Sequence, residues 1–280
     1  MIDIQNHKLT KVSGGPEVSF EESPNHSGTF ANELPDTLVI HYTAGGSLES
    51  SVSWLKNPRA NASAHVVVGR SGEMVQLVPF NIKAWHAGQS KWKGRSGLNH
   101  YSIGIEIDNA GVLEKRADGY YTFFGKRIDN SQVVLETHKH EQKEKPWEAF
   151  TEKQIETMEM LCLTLKEHYP IGEITGHDDI APGRKTDPGP AFPLKSLRDK
   201  ILLGRKDDEQ EPEDFEEKSG GIVKADFLNI RSQPDGRAET ISEPLAKGTK
   251  LKILEKKDNW LLVKVDLEGW VSSRWVETIS

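Results

Sequence analysis

The chain holds one cysteine, Cys162, in 280 residues. That excludes an internal disulfide and a multi-cysteine zinc knuckle. Long apolar runs are missing as well: none approaches the ~20 residues that cross a bilayer. The opening MIDIQNHKLTKVSGG contains no apolar stretch of the kind a secretory signal needs, so neither stable membrane insertion nor classical secretion is expected. A basic field is also lacking. Lys and Arg number 36 against 43 Asp and Glu, a formal net charge of −7. Eight of those carboxylates fall between Asp207 and Glu217, where there is no base, and elsewhere the two signs nearly balance. Nothing therefore argues for a nucleic-acid partner. What is present is a globular composition, 35% hydrophobic and 28% charged, in a chain long enough to bury a core without staples.

The acidic run marks the clearest boundary. GRKDDEQEPEDFEEKSGG, residues 204–221, carries Pro212, a single aromatic (Phe215) and a terminal glycine pair. Such a stretch cannot bury enough apolar surface to fold alone, and like charges keep it extended. A solvated helix inside one domain is the alternative. The expected organisation is a domain over 1–205, a linker over 206–221 and a small domain over 222–280.

The first part mixes strand and helix signals. Leu38-Val39-Ile40 is β-prone and leads into His41; Ser47 offers an N-cap, and Leu48, Val52 and Leu55 follow at helical spacing until Pro58. His65 to Val68, the turn GRSG and Met74 to Val78 read as a hairpin. Residues 102–108, SIGIEID, alternate with period two. Thr151 and Gln154 make a capping box, and Ile155, Met158, Leu161, Cys162 and Leu165 form one face of a helix, which makes Cys162 a packing residue. The fold class that follows is α/β, a central mixed β-sheet flanked by helices. The last 60 residues differ. Short strand-like runs at 227–230, 250–254, 260–265 and 269–271, separated by turn signals, predict a small all-β barrel.

Chemistry-bearing residues gather in three places. His41 ends a strand beside Gly45-Gly46, where functional groups collect in α/β sheets. ITGHDDIAPGRKTDPGP, residues 174–190, packs His177, Asp178, Asp179, Arg184, Lys185 and Asp187 among three prolines and three glycines. Two imidazoles and one carboxylate drawn from these places make a donor set for a catalytic zinc, with Asp178 and Asp179 competing for the carboxylate position. Glu106 shares a strand face with Ser102 and Gly104, and Gly104 leaves room beside it. A carboxylate on an isoleucine-rich strand is costly unless it is paired or used. A zinc hydrolase needs such a base, although an ordinary cleft-edge glutamate fits the same pattern. His138 and His140 resemble a second metal pair, but the surrounding KHEQKEK reads as a solvated charge run.

These residues carry a resemblance. IHYTAGG around His41, SAHVVV with GEMVQLVP, AWHAGQSKW, LNHYSIGIEIDNAG and GHDDIAPGRKTDPGPAF occur in order between Ser23 and Leu197. Together they resemble the zinc-dependent N-acetylmuramoyl-L-alanine amidases that share a fold with peptidoglycan recognition proteins. The stretch from Glu114 to Pro146 matches loosely. The resemblance implies zinc held by His41, His177 and Asp187, Glu106 as catalytic carboxylate and Lys185 steadying the oxyanion. It also implies a cleft wall at Trp85 and His86, able to stack on sugar or peptide, with His65 packing or lining the cleft.

The tail is similar to bacterial SH3 domains through LNIRSQPDG, LAKGTKLKIL, NWLLVKV and EGWVSSRWVE, between Val223 and Glu277. Trp260, Trp270 and Trp275 fit barrel core or rim better than a ligand platform. The implied activity is hydrolysis of the N-acetylmuramic acid–L-alanine amide, with peptidoglycan as partner. A recognition protein that binds without cutting would have lost a metal ligand. A cytosolic amidase recycling small muropeptides would not need the tail, and a zinc peptidase would need a peptide-bond preference these motifs do not suggest. The expected location is synthesis in the cytoplasm and action on the cell wall. A phage-type endolysin, an enzyme exported by dedicated machinery and one released on lysis all fit.

Overall fold

A computed structural model describes residues 1–31, 34–203, 220–225, 227–234, 238–257, 260–265, 268–272 and 276–279. It divides into two compact units, Met1–Gly204 and Arg205–Ser280. The acidic run expected as a tether lies outside the described residues, as does Trp275.

The first unit is built on a six-stranded mixed sheet. Its spatial order is Glu173–Gly176, Thr37–Tyr42, Ser102–Ile107, Val66–Val68, Met74–Gln76, Val18–Phe20. The first four strands run parallel, and the last two run against them. Leu38, Val39 and Ile40 are fully buried, because helices and loops cover both faces of this strand. A near-continuous apolar run is what a parallel strand covered on both faces requires.

The capping predictions hold. Ser47 caps helix Leu48–Leu55, and the Thr151–Gln154 box opens helix Glu152–His168. On the second helix Met158, Leu161, Cys162 and Leu165 are all fully buried, as their spacing predicts. Cys162 is thus a packing residue, and burial pushes its thiol pKa up. The loosely matching stretch forms a three-stranded sheet of Glu114–Arg116, Gly119–Tyr121 and Arg127–Ile128. A hairpin of Val133–Thr137 and Glu144–Glu148 follows. No helix among the described residues is long and apolar enough to cross a membrane.

The second unit contains a five-stranded antiparallel sheet: Glu268–Ser272, Trp260–Lys264, Lys250–Lys257, Gly220–Val223, Val276–Ile279. Val223, Leu228, Ile230, Leu251, Ile253, Leu261 and Val263 form its core. Gly220 and Gly221, assigned to the linker on composition, instead pair with Leu251, Lys252, Thr278 and Ile279. Backbone pairing across two neighbours overrides the poor strand propensity of glycine.

Candidate metal centre and active site

Strand register assembles the site. Glu106 lies opposite His41, and Gly176 lies opposite Ile40, so His177 follows at the next position. Three chemistry-bearing residues therefore emerge side by side at the carboxyl ends of adjacent parallel strands. His177 opens a single helical turn, His177–Ile180. Ile180 and Ala181 hold that turn down by packing on Val39, Ala87 and Leu98. Asp187 returns alongside, its backbone carbonyl accepting from the Asp178 N–H at 2.8 Å.

The donor atoms converge. His41 Nδ1, His177 Nδ1 and Asp187 Oδ2 form a triangle with each edge 2.9 Å, and all three residues are buried. Among the described residues this is the one cluster of three His, Cys, Asp or Glu side chains able to hold a metal ion. The far nitrogens show that it fits. His177 Nε2 lies 3.3 Å from the Ala87 carbonyl and His86 Nε2 lies 3.2 Å from the Ser102 carbonyl. Carbonyls only accept, so both Nε2 atoms carry protons. Neutral His86 then accepts at Nδ1 from His41 Nε2, 3.1 Å away. That bond leaves the His41 Nδ1 lone pair facing inward. Burial, followed by the neighbouring His177 imidazole, lowers the pKa of His41 to about 4; burial also takes His86 well below its ordinary value. Two imidazole lone pairs and a carboxylate oxygen pointing at one another call for a cation between them.

Glu106 stands next to this triangle. It is half-buried, and its Oε2 is sealed from solvent without a hydrogen-bond partner. An orphaned buried oxygen of this kind calls for an explanation, and a catalytic role is one. Burial, reinforced by the Asp187 carboxylate, raises its pKa well above the carboxylate range, and the charge of Lys185 opposes the rise. Lys185, half-buried, is near enough for its charge to act on His41 too.

The family model for N-acetylmuramoyl-L-alanine amidase matches residues 31–190, more than half of the chain. The chain belongs to this family. It is an enzyme that hydrolyses the amide between N-acetylmuramic acid and L-alanine. The 1,6-anhydro-N-acetylmuramyl-L-alanine amidase AmpD of Escherichia coli K12 is 31% identical over 203 residues, covering 66% of this chain and 91% of that protein. The N-acetylmuramoyl-L-alanine amidase AmiD of the same organism is 32% identical over 169 residues, covering 57% of this chain and 51% of that one. A crystal structure of a selenomethionine AmpD derivative covers 66% of this chain and 94% of its own, with 29% identity and a TM-score of 0.46. Residues 226–277 match the bacterial SH3 domain model.

The three residues expected at the cleft wall divide. His65 is fully buried: its Nδ1 accepts from the Gly104 N–H and its Nε2 donates to the Ile82 carbonyl. With both nitrogens committed to backbone, it packs and does not line a cleft. His86 is buried too, and both its nitrogens are engaged, so it backs His41 and is not free to stack on a ligand. The room that Gly104 provides is filled by this ring and does not lie open beside Glu106. A Cβ at Gly104 would stand 2.2 Å from His86 Cγ. Gly104→Ala is accordingly expected to destabilise the amidase by about 1–3 kcal/mol through overpacking. It should also weaken metal retention by displacing His86; thermal melting and metal content check both. Trp85 alone of the three stays partly exposed, its indole N–H donating to Ser27 Oγ.

Asp178 and Asp179 stand outside the triangle. Asp178 bonds to His138 and Lys139; Asp179 bonds to Lys139 and accepts from the Gly176 N–H. His138 is correspondingly buried, not part of a solvated face. The stretch KHEQKEK gives no periodic signal of this, because its partners lie 40 residues away.

Proposed function

We propose that this amidase cuts polymeric peptidoglycan with a zinc ion held by His41, His177 and Asp187, Glu106 as proton carrier and Lys185 as oxyanion partner. The observation that carries the reading is the 2.9 Å triangle of inward lone pairs beside an unpartnered carboxylate oxygen. When bound, zinc supplies Lewis-acid polarisation of the scissile carbonyl and lowers the pKa of the attacking water toward about 7. Glu106 takes a proton from that water through an oxygen with no competing donor. The same carboxyl then gives the proton to the departing alanine nitrogen. Lys185 faces the negative charge that develops on the carbonyl oxygen, where a preorganised cation stabilises the transition state most. His86 holds the His41 ring in the tautomer that offers Nδ1, as partners of metal-ligating histidines do.

Polymeric wall is the favoured substrate because of the SH3-like unit. Joined to the catalytic unit by the acidic run, it raises the local concentration of enzyme on an insoluble surface. The domain division proposed is 1–205, 206–221 and 222–280, with the first strand of the last unit reaching back to Gly220. The expected site of action is the cell wall. Mass spectrometry of purified wall digested by the protein tests the reading: free stem peptides beginning with L-alanine support it, and intact lactyl amides overturn it. Residues 1–205 are expected to hydrolyse soluble muropeptides nearly as well as the full chain, while residues 220–280 bind wall without cutting. Equal activity of the truncated protein on both substrates, with a tail that pulls down no wall, would refute the division of labour.

A further inference from the structure

We infer that the hairpin Val133–Thr137/Glu144–Glu148 is a clamp on the metal-bearing segment, with His138 and Lys139 as positioning residues for His177 and Asp187. The inference rests on the proposed reading of those two residues as ligands. The segment needs outside support. His177–Ile180 is one helical turn, too short to hold itself. The next residues, up to Pro190, form no strand.

The clamp grips Asp178, the residue after His177. Asp178 is 2% exposed, and a buried carboxylate is costly without partners. His138 Nε2 stands 2.9 Å from its Oδ2, and Lys139 Nζ donates to its Oδ1 at 2.8 Å and to Asp179 Oδ1 at 2.6 Å. His140 Nε2 lies 3.1 Å from the Asp178 carbonyl oxygen. Asp178 in turn donates its N–H to the carbonyl of Asp187 at 2.8 Å, so one anchored residue holds both ligand-bearing stretches. A second point of contact lies at Gly189. Trp147, on the returning hairpin strand, stacks on His138 with ring centroids 5.8 Å apart. It occupies the space a side chain at Gly189 would need, since a Cβ there would stand 2.8 Å from the indole ring. The hairpin thus meets the segment on both sides of Asp187. It overlaps the stretch Glu114–Pro146, which matches the family motifs only loosely.

The test uses the full chain with Lys139→Met, His138→Ala and the conservative Lys139→Arg. Three readouts are compared with the unaltered protein: the rate of zinc release to a chelator well below the melting temperature, hydrogen exchange of the Asp178 and Ala181 amides in chelated protein, and kcat and KM on a soluble muropeptide. Lys139→Met and His138→Ala should release zinc ~10–100-fold faster, the scale seen when partners of metal ligands are removed. They should also lose protection at both amides and lower kcat with little change in KM, while Lys139→Arg restores all three. Zinc release within twofold of the unaltered protein overturns the clamp, even if exchange accelerates, because the hairpin would then brace backbone without positioning ligands. If His138→Ala does not fold, Lys139→Met, whose side chain is 39% exposed, decides the matter. Should the unaltered protein take up no zinc, the metal reading fails by itself. Unchanged exchange in Lys139→Met would then overturn the clamp as well, and lost protection would uphold its grip on the segment.

Discussion

Replacing His41 or Asp187 is expected to abolish both metal binding and hydrolysis. The purified protein should carry about one zinc per chain, as a single three-ligand site implies, and His41→Ala or Asp187→Asn should carry none. Three protein ligands are the usual minimum for catalytic zinc, so loss of one leaves a pair with too little affinity to compete with solvent. Asp187→Asn is the sharper variant, because it keeps the side-chain shape and the backbone carbonyl that accepts from Asp178. Its fold should therefore survive, with unfolding followed by circular dichroism as the control. Activity should fall to background in both variants and in protein stripped by exhaustive chelation, and zinc should restore only the unaltered chain. Full hydrolysis by protein shown to be free of zinc would sink the metal reading while leaving the family assignment intact.

Glu106→Gln and Lys185→Ala should keep metal and fold yet lose rate. Neither side chain belongs to the 2.9 Å triangle, so metal content should stay near one per chain. Losing a general base costs ~10²–10⁴ in rate. Losing an oxyanion partner costs about 10²–10³, or ~3–4 kcal/mol. Both penalties should fall on kcat, because these interactions strengthen in the transition state. Were Lys185 only a surface partner of neighbouring aspartates, its loss would be worth about 0–1 kcal/mol. The two scales are well separated. A drop in kcat under about fivefold for zinc-loaded Lys185→Ala on a soluble muropeptide removes Lys185 from the mechanism. The same result for Glu106→Gln removes the proton carrier.

Much of the architecture was legible because its signals are local. Ser47, Thr151 and Gln154 act within one helical turn, and the Met158–Leu165 stripe repeats at the helical period, so each could be read without knowing what lies opposite. The strand Ser102–Ile107 was equally plain from its alternating isoleucines. The C-terminal strands Gly220–Val223 and Val276–Ile279 were missed. The first begins with two glycines, and both depend on pairing with distant strands.

The site separates along the same line. Residue types and order by themselves determined that two histidines, a carboxylate, a second carboxylate on an apolar strand and a lysine were available for metal-assisted hydrolysis. The residue pattern left three aspartates open and the family resemblance implied Asp187; the tertiary structure brings Asp187 to the histidines. Asp178 and Asp187 are alike as residues; His138 and Lys139, about 40 residues earlier, engage the first, and the second meets His41 and His177. The tertiary structure also decided the tasks of His65 and His86. A histidine in the sequence can bind, pack or orient, and what distinguishes these is which carbonyl or nitrogen stands within 3.2 Å of each ring atom, a matter of strand register that no local pattern encodes.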